Sequence, residues 1–316
     1  MKLGVTPWQA HADSASALAG QAARAEALGY HSFWVPESHF RGAQNTRSIP
    51  EPLMWLAAVA ASTERLRLAT TSLLLPLRHP LQAAEQVAVL DRLSGGRVIL
   101  GIGRGYAAPM LRAFDVEPSE KRSLLEASLE RMIEAWSGRP ISTGGPGGGE
   151  MVLDPLPVQK PHPPVWMAAF GPKALDQAGR LGLPYLASPV EPLEVLAQNY
   201  HRHRQALAEH ARPVPDEVPV MRTLMVTDGA RETRALRDAL QEQVYRQVRR
   251  VGGLPDGTEV QAWSIVGEPG YVIERVHEYR ERLGVTCLII ARPRIPGLAA
   301  ERAERSVVRA AELLLG

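Results

Sequence analysis

Residues 66–105 read LRLATTSLLLPLRHPLQAAEQVAVLDRLSGGRVILGIGRG, and this stretch decides the fold class. Two short apolar runs, 66–70 and 98–102, flank a segment with helical spacing that begins at Pro80 and ends at residues 94–96, Ser-Gly-Gly. Proline is favoured in the first turn of a helix and glycine just beyond its end. A strand, a helix and a second strand in this order indicate a parallel β-α-β unit.

The same alternation of apolar strands and amphipathic helices continues in both directions from this unit. Eight strands are predicted, at residues 3–6, 32–35, 66–70, 98–102, 165–169, 184–187, 218–226 and 285–290. Eight strand–helix units in order, with no visible linker or repeat, predict a single (β/α)8 TIM-barrel domain over residues 1–316. A doubly wound sheet of similar length is the competing architecture, and the unbroken series of eight units favours the barrel.

The chain is longer than the about 250 residues that such a barrel typically takes. The surplus fits two excursions, one after strand four and one after strand seven. The first is the Pro- and Gly-rich stretch 138–164, expected to form a surface loop with a hairpin. The second comprises helix-like sequence over 230–250 and a loop up to 267. The helix before the first excursion is predicted to bury one stripe of side chains, namely Leu125, Leu129, Met132, Ile133 and Trp136.

The composition excludes several classes of protein. With 36 Lys and Arg against 34 Asp and Glu, the net charge is +2 and no basic stripe is available for nucleic acid. The sequence has no apolar run of about 18 residues and no signal-peptide core at its start, so a cytoplasmic protein is expected. The single cysteine, Cys287, lies in an apolar run and is predicted to be a buried thiol. Since no His, Cys, Asp or Glu cluster has ligand spacing, no metal site is predicted.

Residues 101–106, GIGRGY, begin like a dinucleotide-binding fingerprint but end in Tyr106 instead of glycine or alanine. They also follow the fourth predicted strand and lack the acidic partner of a Rossmann fold, which makes that interpretation weak. The chain has no G-x-S-x-G elbow of the α/β-hydrolase type.

Active sites of (β/α)8 barrels lie at the C-terminal ends of the strands. This rule selects an acid–imidazole pair, Glu37 and His39, and one fixed cation, Arg104. Glycines beside Arg104 would let backbone N–H groups approach an anion, and Gly171 would add the amides of a helix start. A structural salt bridge is the alternative for Arg104, and a hydrogen-bonded wall residue is the alternative for His39. The predicted aromatic wall consists of Trp8, Phe40 and Tyr106.

The stretch 66–105 and the RAFDV segment at 112–116 closely resemble the bacterial luciferase-like flavin oxidoreductases. In that family an apolar strand is followed by LP-x-x-HP, LD-x-LS-x-GR and GxGRG. The resemblance covers nearly the whole chain and is weaker in the C-terminal third. Further similar segments are PESHF at 36–40, VWMAA at 165–169, GRLGLP at 179–184 and VGEP at 266–269.

The resemblance implies a (β/α)8 fold, usually dimeric, that binds reduced FMN or the deazaflavin F420. It implies that Arg104 binds the cofactor phosphate, with the backbone of Gly105 and Tyr106 beside it. Gly171 and Ala174 match positions that are serine and threonine in luciferase, so here only backbone N–H groups would remain for the phosphate.

The resemblance also implies that Thr70-Thr71 is a non-proline cis peptide under the isoalloxazine ring. Ser38 stands where luciferase has its catalytic histidine, and only the second histidine of that segment, His39, is present. Light emission is therefore not predicted. Trp8, Ser38 and Phe40 are assigned to the substrate pocket, together with Trp263, which is either part of a mobile lid or a buried anchor. Three further family matches are predicted to be structural, namely His79, Asp91 and Arg97.

Three functions remain open at this point. The first is a two-component monooxygenase that uses O2 and reduced FMN from a separate reductase to oxygenate a small organic substrate. The second is an F420-dependent reductase or dehydrogenase, and the third is a non-catalytic flavin-binding protein. The ESHF segment favours FMN. Basic residues near the pocket mouth would favour the polyglutamate tail of F420, and the candidates are Lys173, Arg246, Arg249 and Arg250.

Overall fold

The computed structural model describes residues 1–9, 14–40, 48–142, 144, 148–248, 257–293, 295 and 297–316. Strands and helices alternate along these residues. In chain order they are β1 (Lys2–Val5), α1 (Ala15–Ala27), β2 (Ser32–Val35), α2 (Pro52–Ala61), β3 (Arg67–Thr70), β4 (Leu73–Leu74), α3 (Pro80–Leu93), β5 (Val98–Gly103), α4 (Ala108–Ala113), α5 (Lys121–Trp136), β6 (Ile141–Ser142), β7 (Glu150–Met151), β8 (Val165–Ala168), α6 (Pro172–Arg180), β9 (Tyr185–Leu186), α7 (Leu193–Glu209), β10 (Pro219–Val226), α8 (Ala230–Val248), α9 (Val260–Trp263), β11 (Ser264–Gly267), α10 (Pro269–Leu283), β12 (Cys287–Ala291) and α11 (Ala300–Leu315).

Internal contacts divide the chain into two compact units. The first unit comprises Met1–Trp34 and Met167–Gly316, and the second unit comprises Val35–Trp166. The single domain expected over residues 1–316 stays a prediction. Within the described residues, no helix combines the length and the apolar character needed to cross a membrane.

The strands of the first unit pair in parallel. Strand β1 lies between β12 and β2, with Leu3 opposite Leu288 and Val5 opposite Phe33. Strand β10 pairs with β12 along its first part and with β11 along its second part. Parallel strands joined by helices are the pattern that the sequence predicts. The expected loop up to residue 267 is wrong in part, because residues 260–267 form α9 and β11.

Gly179 allows α6 and α7 to pack closely in the first unit. A Cβ atom at this position would lie 2.5 Å from the Cβ of Ala206 and 3.0 Å from the backbone carbonyl oxygen of His203. Because backbone atoms cannot move aside cheaply, we expect Gly179→Ala to lower the free energy of unfolding by about 1–3 kcal/mol. Urea denaturation measures this change.

The matched control for this substitution is Gly20→Ala in the interior of α1. A Cβ atom at Gly20 would meet nothing within 4 Å. Alanine has the higher helix propensity, so Gly20→Ala should stabilise the protein by about 0.5–1 kcal/mol. Equal effects of the two substitutions would show that close helix packing is not the reason for the glycine at position 179.

The second unit contains the stretch that decides the fold class. Strands β3 and β5 pair in parallel, with Leu68 opposite Val98, and α3 connects them as predicted. Strands β6 and β7 form an antiparallel hairpin, which confirms the hairpin expected in the first excursion. Of the stripe predicted on α5, four side chains are buried, but Ile133 is 37% exposed. The prediction for Ile133 is wrong because each residue turns about 100° around a helix, which places Ile133 at the edge of the stripe, past Leu129.

The first excursion is fixed at its end by Gln159. The backbone N–H and the side-chain amide of Gln159 donate to the two carboxylate oxygens of Asp91 at 2.9 and 2.7 Å. The same amide also donates to the carbonyl of Val98. Arg97 is buried and donates to carbonyl oxygens at the end of α2 and beyond it, among them those of Ala60 and Leu66. These contacts agree with the structural roles predicted for Asp91 and Arg97.

Candidate active site

The acid–imidazole pair predicted after the second strand is present in the second unit. Strand β2 ends at Val35, and the Nε2 atom of His39 lies 2.6 Å from Oε1 of Glu37. Both side chains are buried, with exposed fractions of 8% for His39 and 0% for Glu37. An ionised carboxylate only accepts hydrogen bonds, so beside such a carboxylate Nε2 would be the donor and a neutral ring would have its lone pair on Nδ1.

Two further groups hold the carboxylate of Glu37. Its Oε1 atom also accepts from Nη1 of Arg78 at 2.7 Å, and its Oε2 atom accepts from the backbone N–H of Leu74 at 2.8 Å. The second terminal nitrogen of Arg78, Nη2, lies 3.3 Å from Oε2 of Glu51. With its acceptors occupied and no exposed surface, Glu37 is suited to orient His39.

Two aromatic rings contact the imidazole, those of Phe40 and Phe114. Phe114 meets the His39 ring edge to face, with ring centroids 4.8 Å apart, and Phe40 lies 5.6 Å from Phe114. Phe40 and Tyr106, the two members of the predicted wall in this unit, are largely exposed. Ser38, which replaces the luciferase histidine, accepts a hydrogen bond from the backbone N–H of Ile49 on its hydroxyl.

The end of β3 lies against the end of β5. The hydroxyl of Thr70 is buried and donates to the carbonyl of Gly101 at 2.7 Å, so this side chain joins the two strands. The cis peptide expected at Thr70-Thr71 is wrong by one residue, because the cis bond lies between Thr71 and Ser72. The N–H of Thr71 donates to the carbonyl of Val35, the last residue of β2. The hydrogen bonding between β2 and β3 therefore extends to Thr71, and the cis bond follows it.

Neighbouring side chains within the second unit explain the glycines on either side of Arg104. A Cβ atom at Gly103 would lie 2.1 Å from the hydroxyl oxygen of Ser72. Gly105 has a φ angle of +74°, and a Cβ atom there would lie 3.1 Å from the side chain of Leu111. Both positions therefore exclude larger residues because of neighbours within the second unit.

Arg104 belongs to a group of three cations, which we call the cation group: Arg104, Lys121 and Arg122. The pKa of Arg104 is lowered first by desolvation and second by the charge of Arg122. The pKa of Lys121 is lowered by desolvation and by the charges of both arginines. Within the described part of the chain, Arg104 makes no ion pair, so the structural salt bridge is not found there.

The cation group lies at the start of α5, where positive charge is unfavourable. Lys121 and Arg122 are the first two residues of this helix, and its first turn contains no acidic residue. The start of a helix carries a partial positive charge and attracts anions. An anion beside Arg104 would therefore be favoured by the charges that act on it and by the start of α5.

The first unit holds the other predicted site residues. Trp8 is buried against Phe33, and its indole N–H has no hydrogen-bond partner among the residues that the structure describes. Gly171 precedes α6 with a φ angle of +77°. The backbone N–H of Ala174 donates to the carbonyl of Gly171 at 3.1 Å, so the helix itself uses this amide.

Trp263 lies in a hydrophobic cluster of the first unit. It is buried at the end of α9, together with Met225, Leu236 and Val260. Of the two alternatives for this residue, the structure agrees with the buried anchor and not with a mobile lid. The assignment of Trp263 to the substrate pocket stays a prediction.

The basic residues proposed for a polyglutamate tail are only partly described. Lys173 is exposed in the first turn of α6. Arg246 lies in α8, but its side chain is outside the described residues, as are Arg249 and Arg250 entirely.

A cleft of about 790 Å³ between α8 and α10 contains none of the predicted site residues. No group of three metal-ligating side chains occurs within the described ranges.

Sequence reasoning missed four residues of this site. Arg78 and Phe114 occupy positions inside the motifs quoted above, but nothing in one sequence shows that they contact Glu37 and His39. Lys121 and Arg122 had a signal, because two basic residues at a helix start contradict the usual charge preference.

The comparison with protein families identifies the class. The family model for luciferase-like monooxygenases matches residues 3–287. The chain therefore belongs to the luciferase-like monooxygenase family, whose members are flavin- or F420-dependent oxidoreductases.

Relatives of known activity use different cofactors. The oxygenase component of the flavin-dependent trigonelline monooxygenase from Acinetobacter baylyi is 27% identical over 64% of this chain and 56% of its own length. The F420-dependent glucose-6-phosphate dehydrogenase from Beutenbergia cavernae is 29% identical over 85% of both chains. An uncharacterised protein from Sinorhizobium fredii is 38% identical, and the match spans less than half of its length, 45%.

A solved structure agrees with the fold. The monooxygenase RslO1 from Streptomyces bottropensis superposes with a TM-score of 0.81 at 24% identity, over 100% of this chain and 99% of that one. This likeness and the family match confirm the predicted fold class, a luciferase-like (β/α)8 TIM barrel.

Proposed function

We propose that the protein is the oxygenase component of a two-component monooxygenase that binds reduced FMN and uses O2 on a small organic substrate. A separate flavin reductase would deliver the reduced FMN. The trigonelline relative, which is named an oxygenase component, supports this arrangement. A homodimer remains our expectation from the family resemblance, and a cytoplasmic location remains our expectation from the composition.

The observation that carries the proposal is the cation group. Desolvation and the charge of Arg122 lower the pKa of Arg104, and desolvation and the charges of both arginines lower the pKa of Lys121, the first residue of α5. A phosphate dianion in this position would relieve the mutual repulsion and gain charge-assisted hydrogen bonds. These residues therefore fit the phosphate of FMN, and Arg104 is the residue that we assign to it.

The other residues of the second unit have roles that follow from their contacts. Ser72 and Gly103 would shape the edge of the ring site, because no larger residue fits where they meet. His39 would hold or accept a proton on Nδ1, while Glu37 fixes the ring. Bound reduced FMN supplies two electrons, with which one oxygen atom of O2 is reduced to water while the other is transferred to the substrate.

An F420-dependent dehydrogenase is the second candidate function. The relative from Beutenbergia cavernae, aligned over most of both chains, favours it. F420 also carries a phosphate group, so Arg104 would bind either cofactor. A cofactor titration therefore has to include both.

The test is the replacement of Arg104 by alanine. We expect Arg104→Ala to weaken the binding of reduced FMN by about 1.5–3 kcal/mol, the value of a hydrogen bond to a charged group. Reduced riboflavin, which lacks the phosphate, should bind equally well to both proteins. Anaerobic titrations with reduced FMN, reduced riboflavin and reduced F420 measure these affinities.

The matched control is Arg112→Ala. Arg112 is an exposed arginine of the same unit, and its only ion pair in the described residues is a long one with Glu117, at 4.0 Å. This variant should bind reduced FMN like the wild type. If Arg104→Ala also does so, or loses riboflavin affinity equally, the phosphate assignment is wrong. Tighter binding of F420 than of FMN would select the second candidate function.

A further inference from the structure

Arg78 contacts Glu37 of the acid–imidazole pair, and the proposed function gives this arginine no role. Its side chain is only 9% exposed and reaches two carboxylates, Glu37 at 2.7 Å and Glu51 at 3.3 Å. Nη1 of Arg78 also donates to the carbonyl oxygen of Leu74 at 3.2 Å. The guanidinium is thus fixed by three groups of the second unit, and one of them is the only hydrogen-bond partner of His39 in the described residues.

The protonation of Glu37 decides which nitrogen of His39 carries the proton. An ionised Glu37 accepts from Nε2 and leaves the lone pair of the ring on Nδ1. A protonated Glu37 would donate to Nε2, and the proton of the neutral ring would then be on Nδ1. A carboxylate with no exposed surface needs a paired charge to stay ionised, and Arg78 is the cation in contact with it.

We propose that Arg78 is a positioning residue that keeps Glu37 in its acceptor form, so that the carboxylate holds the proton of His39 on Nε2 and leaves the lone pair on Nδ1. The charged groups of the arrangement are Glu37, Arg78 and Glu51. The aromatic neighbours of the imidazole among the described residues, Phe114 and Phe40, are uncharged. The catalytic use of this lone pair rests on the proposed function, but the arrangement itself needs no cofactor.

The tautomer of His39 tests the proposal directly. In ¹⁵N-labelled protein without cofactor, the imidazole nitrogens are observed by NMR, and His39→Gln assigns the signals. We expect the Nε2–H tautomer in the wild type and in Arg78→Lys, which keeps the positive charge. In Arg78→Met the Nε2–H form should lose its dominance. Arg112→Met, an exposed arginine of the same unit, should leave the signals unchanged.

Turnover provides a second readout. Because Arg78 contacts Glu37 and not a reacting group, Arg78→Met should lower kcat about 10-fold or more with little change in KM, and Arg78→Lys should recover part of it. The tautomer is measured without cofactor or substrate. Failure of the protein to bind reduced FMN would therefore contradict the proposed function and leave the result for Arg78 intact.

The outcome that overturns the proposal is a wild-type tautomer in Arg78→Met, even if the variant is less stable, because a purely structural role would change stability alone. Arg78→Met leaves a buried carboxylate without its cation and could fail to fold. Arg78→Gln removes the positive charge but keeps a neutral donor for the carboxylate, and it covers this case. It should also lose the preference for Nε2–H, and a wild-type signature in it contradicts the proposal.

Discussion

Replacing His39 by alanine is expected to lower kcat by about 10²–10⁴-fold, the usual contribution of a positioned acid or base. The imidazole of His39 lies near the ends of β2 and β3. Its Nδ1 atom has no hydrogen bond among the described residues, so this nitrogen is available for proton transfer. Glu37 is occupied by three donors, and the hydroxyl of Ser38 accepts from the backbone of Ile49. Neither of them can replace the histidine. Steady-state turnover with reduced FMN and O2 measures the loss.

The affinity for reduced FMN separates this effect from a loss of the cofactor. His39 is not part of the cation group, so His39→Ala should bind reduced FMN like the wild type in the anaerobic titration. His201→Ala, at an exposed position of α7, is the matched control and should have wild-type turnover. Wild-type kcat in His39→Ala would mean that this imidazole handles no proton in the reaction.

The largest effect on stability is expected for Arg222 in β10. Its side chain is fully buried, and it donates to the Tyr279 hydroxyl, to the Ser188 carbonyl and to the Glu191 carbonyl, each at 2.8 Å. Burial raises the pKa of the Glu191 carboxyl, and the charge of Arg222 is among the influences that lower it. Arg222→Met leaves these acceptors unpaired and the buried carboxylate without a cation. We expect it to lower the free energy of unfolding by about 3–5 kcal/mol.

Urea denaturation of matched variants checks this expectation. Arg202 forms a bidentate ion pair with Asp176, but both side chains are almost half exposed, at 48% and 47%. Arg202→Met should therefore destabilise the protein far less than Arg222→Met. The double variant Arg222→Met/Glu191→Gln should be less destabilised than the sum of the single variants, because it removes both charges. If Arg222→Met and Arg202→Met lower the free energy of unfolding by similar amounts, burial does not explain the effect of Arg222.

The sequence predicts the elements whose signals are local. Helix α3 begins at Pro80 and ends before Ser94, as the proline and the Ser-Gly-Gly sequence indicate. Glu37 and His39 are two residues apart after a strand, so their contact also follows from the order of the chain. In both cases the determining interactions join residues that are close in sequence.

The missed features depend on contacts between distant residues. The ion pair of Arg78 with Glu37 spans 41 positions, and one sequence contains no information about such a pair. Strand β11 is only four residues long and exists because it pairs with β10. The buried position of Trp263 depends in the same way on α8 and β10, which supply its neighbours. Tertiary packing decides each of these features, and local patterns do not report it.

The hydrogen bonds between Gln159 and Asp91 have a consequence for protein engineering. They anchor the chain to α3 after the hairpin and before β8 begins. Glu150 and Met151 at β7 are exposed, in keeping with a peripheral ribbon. We therefore expect the segment between β6 and β7 to accept a grafted affinity tag or foreign epitope.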